Sequence, residues 1–531
     1  MTEPTPNDPD ADAVIVAEVC ELEPRSWLAR YGEPCLFWVL VVAHLLPVWW
    51  FTYVPTQDGP AHLASATILK DLGVEGTRYH EFFEVRLEPT PNWMAHLLLA
   101  ALLFIFAPLL AEKILVSGIV LALGGALRYF CGTFGDRTRP FALAGLLFVY
   151  NRCLWLGFYN FSLSLALCFF ILGWWLRRRE RTDAIIAAGL TVLLVVTYFA
   201  HLAGFLVTAV ALVWFAMAMG PRRLRNLAWV ALACFPAGLL AFDYFERTRF
   251  FGAGGSLRLH DNIRHWVHGK NSWSRLGDEL LALNDEWFAH HSTDDVPIGY
   301  LALLLYIVLL AATILAAVSR TAATPRPPPR WPVVLLALAL TAMVVVLPQH
   351  LSMEHGGFLK SRLALFPPLL LLACFREPPW LPARLAVRAL IVLMLGVNLT
   401  MVTRQFAHGN QELAEYTAAR QLVGPEHVMF VVQDQAGSKG PRELANPLIH
   451  ASQHYALGTN TVNLDNYQAT TRHFPLRFRD GVSRGRGILA FYEQPEVVDV
   501  ILAWEAGRNP GAPKSFQSIF QRGRLQVFMK K

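Results

Sequence analysis

The sequence has little charge for its length. Charged residues make up 16% of its 531 residues, whereas soluble domains carry about 25%, and the mean hydropathy is +0.37. The deficit lies in long apolar runs that short arginine-rich connections separate. This pattern excludes an ordinary soluble domain and predicts a mainly α polytopic membrane protein with about 11–13 transmembrane helices.

Functional cysteine patterns and nucleic-acid patches are also missing. The seven cysteines form no CxxC pair and no zinc spacing, so neither a zinc site nor a disulfide framework is predicted. No basic patch with interleaved aromatic residues accompanies the net charge of +6, so no nucleic-acid partner is predicted. The first residues lack the positive region and cleavage site of a secretory signal. We therefore expect residues 1–30 to form a disordered acidic cytoplasmic tail.

Eleven apolar runs are long enough to span a bilayer. They lie near 36–54, 93–111, 113–132, 157–176, 183–200, 202–219, 226–243, 297–318, 331–348, 359–375 and 384–402. Arginine clusters in the short loops indicate cytoplasmic faces and place the N-terminus inside. The loops 55–92 and 244–296 and the C-terminal region are then predicted to lie outside.

The run 140–156 does not fit this alternation. It is short, and Asn151 and Arg152 interrupt it. Counting it as a full span would place the arginine cluster 177–181 on the wrong side of the membrane. Either this run enters and leaves on one side, or an early span is half a helix. Irregular backbone at membrane depth is tolerated where it lines a protein cavity, so we expect 140–160 to be irregular.

The chain divides into three predicted parts. Residues 1–30 are the tail, residues 31–403 the transmembrane helical module, and residues 404–531 a small soluble α+β domain outside the membrane. In this last part Gln411 to Leu422 has a helical pattern, and three stretches have strand patterns: His427 to Gln433, Val497 to Ala503 and Leu525 to Met529.

The stretch Gln57-Asp58-Gly59-Pro60-Ala61-His62 directly follows the first apolar run. Asp58 is well placed to cap a helix, because glycine and proline follow it at the first helical positions. A carboxylate held at the membrane interface beside apolar walls would instead have a raised pKa, which suits a general base. The residues alone leave both interpretations open.

An acidic residue directly after the first transmembrane helix, in a large first outside loop, resembles the GT-C superfamily of polytopic glycosyltransferases. Other stretches look like bacterial members of that superfamily, and so does the order of the parts, with helices first and a soluble outside domain last. These stretches are Pro91-Asn92-Trp93, Ala111-Glu112-Lys113, Gly157-Phe158-Tyr159-Asn160-Phe161, Tyr198-Phe199-Ala200-His201, and Arg362 at the opening of a late helix.

The resemblance implies an inverting transfer at the outer face of a bacterial plasma membrane. The donor would be a polyprenyl-phosphate-linked sugar, and the acceptor a lipid, a glycan or a protein. Asp58 would act as general base, and Lys360 and Arg362 would meet the phosphate leaving group. Further expected substrate-binding residues are His62, Glu84 and His201. The first loop has no Asp-x-Asp pair, so no metal or other cofactor is predicted.

Four of these residues also have a plain structural explanation. Lys360 and Arg362 can extend from a helix end to the lipid headgroups, His201 can satisfy a helix end, and Glu84 can lie on a solvated loop face. The histidines and aspartates of the loop 244–296 can form a polar lid rather than a metal site, which is the interpretation we favour. A transporter or flippase and a non-catalytic membrane scaffold are the alternative function classes.

Overall fold

A computed structural model describes residues 27–220, 222–248, 287, 296–318, 328–348, 357–433, 445–485, 496–506 and 512–531. Nearly all of the predicted acidic tail lies outside these residues. The histidines and aspartates predicted to form a polar lid lie outside them as well.

The described chain is mostly helical. Its helices are α1 Trp27–Ala43, α2 Leu46–Trp50, α3 Gly59–Asp71, α4 Tyr79–Phe82, α5 Met94–Leu103, α6 Pro108–Cys131, α7 Arg152–Trp155, α8 Tyr159–Arg178, α9 Ala184–Ala200, α10 Leu202–Ala218, α11 Arg223–Thr248, α12 Val296–Val318, α13 Trp331–Val346, α14 Leu359–Leu363, α15 Phe366–Leu371, α16 Leu381–Tyr416 and α17 Arg420–Val423. Within the described residues, six helical segments are long and apolar enough to cross a membrane. The described chain is therefore mostly helical and agrees with a helical membrane protein.

Several predicted apolar runs are divided in the structure. The run 93–111 contains the ten-residue α5 and then, after four intervening residues, the first turn of α6, which begins at Pro108. The run 359–375 breaks into α14, α15 and a 3₁₀ turn, and Pro367 and Pro368 stand in the first turn of α15. These two runs are therefore not single continuous helices as predicted.

The segment 140–160, which the sequence predicts to be irregular, is irregular in the structure. Residues Arg139–Phe148 form a 3₁₀ helix, and α7 is a single turn. Asn151 caps α7, because its side-chain oxygen accepts a hydrogen bond from the Leu154 N–H at 3.1 Å. The backbone then turns at Gly157, which has φ +78°, and α8 follows.

The predicted strands of the C-terminal part are confirmed. The strands are β1 Phe83–Val85, β2 Val428–Gln433, β3 Val462–Asn463, β4 Leu476–Phe478, β5 Val500–Trp504, β6 Phe516–Arg522 and β7 Leu525–Lys530. Five of them form a sheet of order β3-β2-β5-β7-β6, in which β3, β2 and β5 are parallel and the other pairs are antiparallel. The small α+β unit at the C-terminal end is thus present.

The first loop and the C-terminal part form one unit. Strand β1 of the loop 55–92 pairs antiparallel with β4, and Ile68 and Phe82 pack in one apolar cluster with Val428 and Leu476. Helix α16 also passes through residue 404 without a break, so the predicted domain boundary falls inside a helix. This arrangement brings Tyr467, which is 409 positions away in sequence, to Asp58 at the start of α3.

Candidate functional site

The backbone of Asp58 is held by the irregular segment that precedes α8. The N–H of Gln57 donates to the Trp155 carbonyl oxygen at 3.0 Å, and the N–H of Asp58 donates to the Leu156 carbonyl oxygen at 3.2 Å. Gly157 follows, and a Cβ atom there would stand 2.7 Å from the Asp58 nitrogen. Only a glycine lets the two segments approach so closely.

Asp58 precedes α3, yet its carboxylate makes no capping hydrogen bond to that helix. Instead, Oδ2 accepts a hydrogen bond from Tyr467 Oη at 2.7 Å, and Oδ1 accepts one from Gln57 Nε2 at 3.3 Å. His450 Nε2 lies 3.5 Å from Oδ1. The helix-cap interpretation of the carboxylate is therefore wrong.

The electrostatic setting of Asp58, which lies outside the candidate membrane spans, makes it a weaker acid than usual. Burial raises the pKa of Asp58 to about 6, because only 6% of the residue is exposed. The hydrogen bonds from Tyr467 and Gln57 and the positive charge of Arg362 act in the opposite direction. A carboxylate with this pKa is ionised at neutral pH and is still basic enough to accept a proton.

Four of the predicted site residues, Asp58, His62, His201 and Arg362, line one cavity of about 410 Å³. This volume lies in the range of small-molecule sites, which are about 300–1,000 Å³. Much of the wall is apolar or aromatic, formed by Phe158, Phe161, Leu202, Leu206, Phe245, Phe358 and Phe474. The cavity thus combines a few polar groups with a surface that suits an apolar ligand.

Arg362 faces this cavity from α14 and is half-buried. Its Nη1 donates to the Gly357 carbonyl oxygen at 2.5 Å, and its guanidinium lies over the Phe158 ring, 4.7 Å from the centroid. Within the described part of the chain no carboxylate lies within ion-pair distance of Arg362, and its buried Nε has no hydrogen-bond partner. A guanidinium without a carboxylate partner can donate two N–H groups to a phosphate.

The two histidines of the cavity wall differ in their contacts. His201 joins α9 to α10, and its Nδ1 accepts from the Ala203 N–H at 3.1 Å, so it also satisfies a helix start. His62 Nδ1 lies 3.2 Å from His96 Nε2 and 3.1 Å from Gln468 Nε2. The structural explanation of His201 therefore holds alongside its position in the wall.

The structure does not bring the other two predicted site residues to the cavity wall. Glu84 pairs with Arg477 across β1 and β4, with 2.8 Å between Oε1 and Nε. Lys360 precedes Arg362 by two positions on α14, and side chains two residues apart on a helix point about 200° apart. The predicted substrate-binding role of Glu84 and Lys360 gains no support from this geometry.

A second buried carboxyl group lies behind the start of α3. Tyr159 Oη donates to Glu112 Oε1 at 2.7 Å, and Thr56 Oγ1 lies 2.8 Å from the same hydroxyl. A Cβ atom at Gly59 would overlap all three side chains. The Glu112 side chain thus lies against Gly59 and supports the turn that carries Asp58.

The sequence did not identify Tyr467, His450 or His473 as site residues. Tyr467 and His473 line the cavity, and the His450 ring stacks on that of Tyr467 with 4.2 Å between centroids. Tyr467 lies 409 positions after Asp58, in a region without a clear secondary-structure pattern. A local motif could not have revealed it.

Among the described residues, no group of three or more histidine, cysteine, aspartate or glutamate side chains is arranged to hold a metal ion. The chain matches no model of a known protein family and none of the curated proteins with which it was compared.

Proposed function

We propose that this protein is a membrane glycosyltransferase that moves a sugar from a polyprenyl-phosphate donor to a hydroxyl acceptor with inversion at the anomeric carbon. One observation carries this proposal. Asp58 and Arg362 line the same cavity. Asp58 is a buried carboxylate whose pKa is raised to about 6, and Arg362 has no carboxylate partner among the described residues. This pair of groups is what a reaction with a proton donor and an anionic leaving group requires.

In the proposed reaction the Asp58 carboxylate accepts the proton of the acceptor hydroxyl. The acceptor oxygen attacks the anomeric carbon, and the bond between that carbon and the phosphate oxygen breaks with its electron pair going to the phosphate. Arg362 stabilises the negative charge that builds up on the leaving group. The products are the glycosylated acceptor and the polyprenyl phosphate.

The cavity wall supports an amphipathic donor. Phe158 and Phe358 stand beside Arg362, and their rings contact each other edge to face at 5.3 Å between centroids. An apolar wall next to the Arg362 cation matches a ligand that has a phosphate at the end of a hydrocarbon chain. Apolar walls also exclude water, which would compete with the acceptor for the sugar.

The proposal is tested in membranes that contain the wild type, Asp58→Asn or Asp71→Asn, with a panel of radiolabelled polyprenyl-phosphate sugars. Asp71 lies at the other end of α3, pairs with Lys70 and does not line the cavity, so it is the matched control. We expect the wild type and Asp71→Asn to transfer a sugar and Asp58→Asn to lose transfer at an unchanged protein level. Wild-type transfer that persists in Asp58→Asn, or no wild-type transfer from any donor, contradicts the proposal.

A further inference from the structure

One face of α3 is joined side chain by side chain to the C-terminal part of the chain. Asp58 accepts from Tyr467, His62 lies 3.1 Å from Gln468 Nε2, and Ser65 Oγ accepts from Asn466 Nδ2 at 3.2 Å. Positions 58, 62 and 65 are spaced i, i+4, i+7 and therefore share a helix face. The contacts fix the 3₁₀ turn Tyr467–Thr470 in one position relative to Asp58.

The same turn shapes the surroundings of the carboxylate. Asn466 caps the turn by accepting from the Gln468 N–H at 3.1 Å, which sets the direction of the intervening Tyr467. The Tyr467 hydroxyl then reaches Oδ2 of Asp58, while the stacked ring of His450 reaches toward Oδ1. Two side chains of the C-terminal part thus stand at the two oxygens of one carboxylate.

We propose that Tyr467, supported by the stacked His450 ring, is a positioning residue that orients the Asp58 carboxylate and keeps it ionised, so that the C-terminal domain completes the site. A carboxylate has about four lone-pair directions. Tyr467 and Gln57 donate to two of them, and His450 Nε2 stands 3.5 Å from Oδ1, which leaves room for the acceptor hydroxyl. This inference rests on the proposed function insofar as the positioned group is the base.

The charged and titratable groups around Asp58 come from several elements. Tyr467 and His450 belong to the C-terminal part, Arg362 to α14, and His62 to the next turn of α3. Tyr159 of α8 interacts with Asp58 electrostatically. Of these groups, Tyr467 makes the direct hydrogen bond to the carboxylate, so its removal isolates the effect of one donor.

The first test compares the pH dependence of kcat/KM for sugar transfer in the wild type, Tyr467→Phe and Tyr455→Phe. Tyr455 is the matched control, because its buried hydroxyl donates to the Tyr416 carbonyl oxygen at 2.8 Å in the same domain and does not contact Asp58. A hydrogen bond stabilises the carboxylate form, so we expect Tyr467→Phe to move the acidic limb upward by about one pH unit. Tyr455→Phe should leave the limb where it is.

The second test needs no sugar transfer. An infrared titration follows the carboxyl band that Asp58→Asn removes, and it reports the midpoint of Asp58 in the wild type and in Tyr467→Phe. We expect a higher midpoint in Tyr467→Phe. An equal midpoint overturns the inference even if transfer is intact, whereas a raised midpoint in a protein that transfers no sugar supports the positioning and contradicts only the proposed function.

Discussion

The close approach of two backbone segments at Gly157 gives the sharpest test of how Asp58 is placed. Gly157 has φ +78°, and a Cβ atom there would stand 2.7 Å from both the Asp58 and the Gly59 nitrogens. Ordinary contacts of a Cβ atom are 3.4 Å or more. Gly157→Ala must therefore push the turn that carries Asp58 by several tenths of an ångström, or rearrange its own backbone.

The expected loss has two parts that can be separated. An alanine at positive φ costs about 1–2 kcal/mol of stability wherever it occurs. A displacement on the order of 1 Å at a catalytic group costs about 100-fold in rate. Gly458 supplies the control, because it has φ +69° and nothing within 4 Å of a Cβ atom. Gly458→Ala thus carries the strain without the displacement.

The assay measures initial rates of sugar transfer and the unfolding midpoint in detergent for both variants. We expect the backbone strain to lower the unfolding midpoint of both variants, and the close contacts to lower that of Gly157→Ala further. The transfer rate should be about 100-fold lower in Gly157→Ala alone. Equal transfer rates in the two variants would refute the conclusion that Gly157 positions Asp58.

Three further predictions concern the residues around the cavity. Arg362→Ala should lower kcat for sugar transfer about 100-fold, and Arg362→Lys should recover part of it, because a lysine keeps the charge but loses the second N–H contact. The proposed base Asp58 can accept a proton only when it is ionised, and burial raises its pKa to about 6, so the wild-type rate should rise with pH through that value. Gly59→Ala should lower the unfolding midpoint, because a Cβ atom there overlaps three buried side chains, whereas Gly118→Ala meets no atom within 4 Å.

Each of these has a clear contrary result. Full activity of Arg362→Ala would remove Arg362 from the reaction. A wild-type rate that stays flat across about pH 5 to 7 would mean that no group with the pKa of Asp58 limits transfer. Equal unfolding midpoints for Gly59→Ala and Gly118→Ala would show that the turn before α3 adapts without cost.

The sequence pointed to some of the cavity residues in the membrane part. Asp58 follows the first apolar run and Arg362 opens a late one, so their common level at the outer boundary could be inferred from the run lengths. Their shared cavity, with His201 between two apolar helices, fits that expectation. The irregular 140–160 segment was also predictable, because Asn151 and Arg152 interrupt an apolar run that breaks the alternation of arginine clusters.

The partner of α3 was not predictable. Asp58, His62 and Ser65 mark a polar helix face by their spacing, but nothing in the sequence says what covers that face. The cover comes from Tyr467 and its neighbours, which lie between β3 and β4, and Tyr467 itself is 409 positions after Asp58. Local patterns cannot encode such long-range contacts.

Helix continuity was predicted less well than helix presence. Hydrophobicity alone does not distinguish an unbroken span from two short helices, and the runs 93–111 and 359–375 were both read as single spans. The prolines at 108, 367 and 368 gave the signal, since proline favours the first turn of a new helix.

The partner of Glu84 was not predictable either, because only the pairing of β1 with β4 shows that Glu84 pairs with Arg477.

The most direct test of the central claim compares purified wild type and Asp58→Asn for donor binding and sugar transfer on the same samples. The substitution keeps the shape of the side chain and removes its basicity. We predict that Asp58→Asn binds the polyprenyl-phosphate sugar as the wild type does and transfers it about 100-fold to 10,000-fold more slowly. Transfer by Asp58→Asn at the wild-type rate would contradict the assignment of Asp58 as the general base.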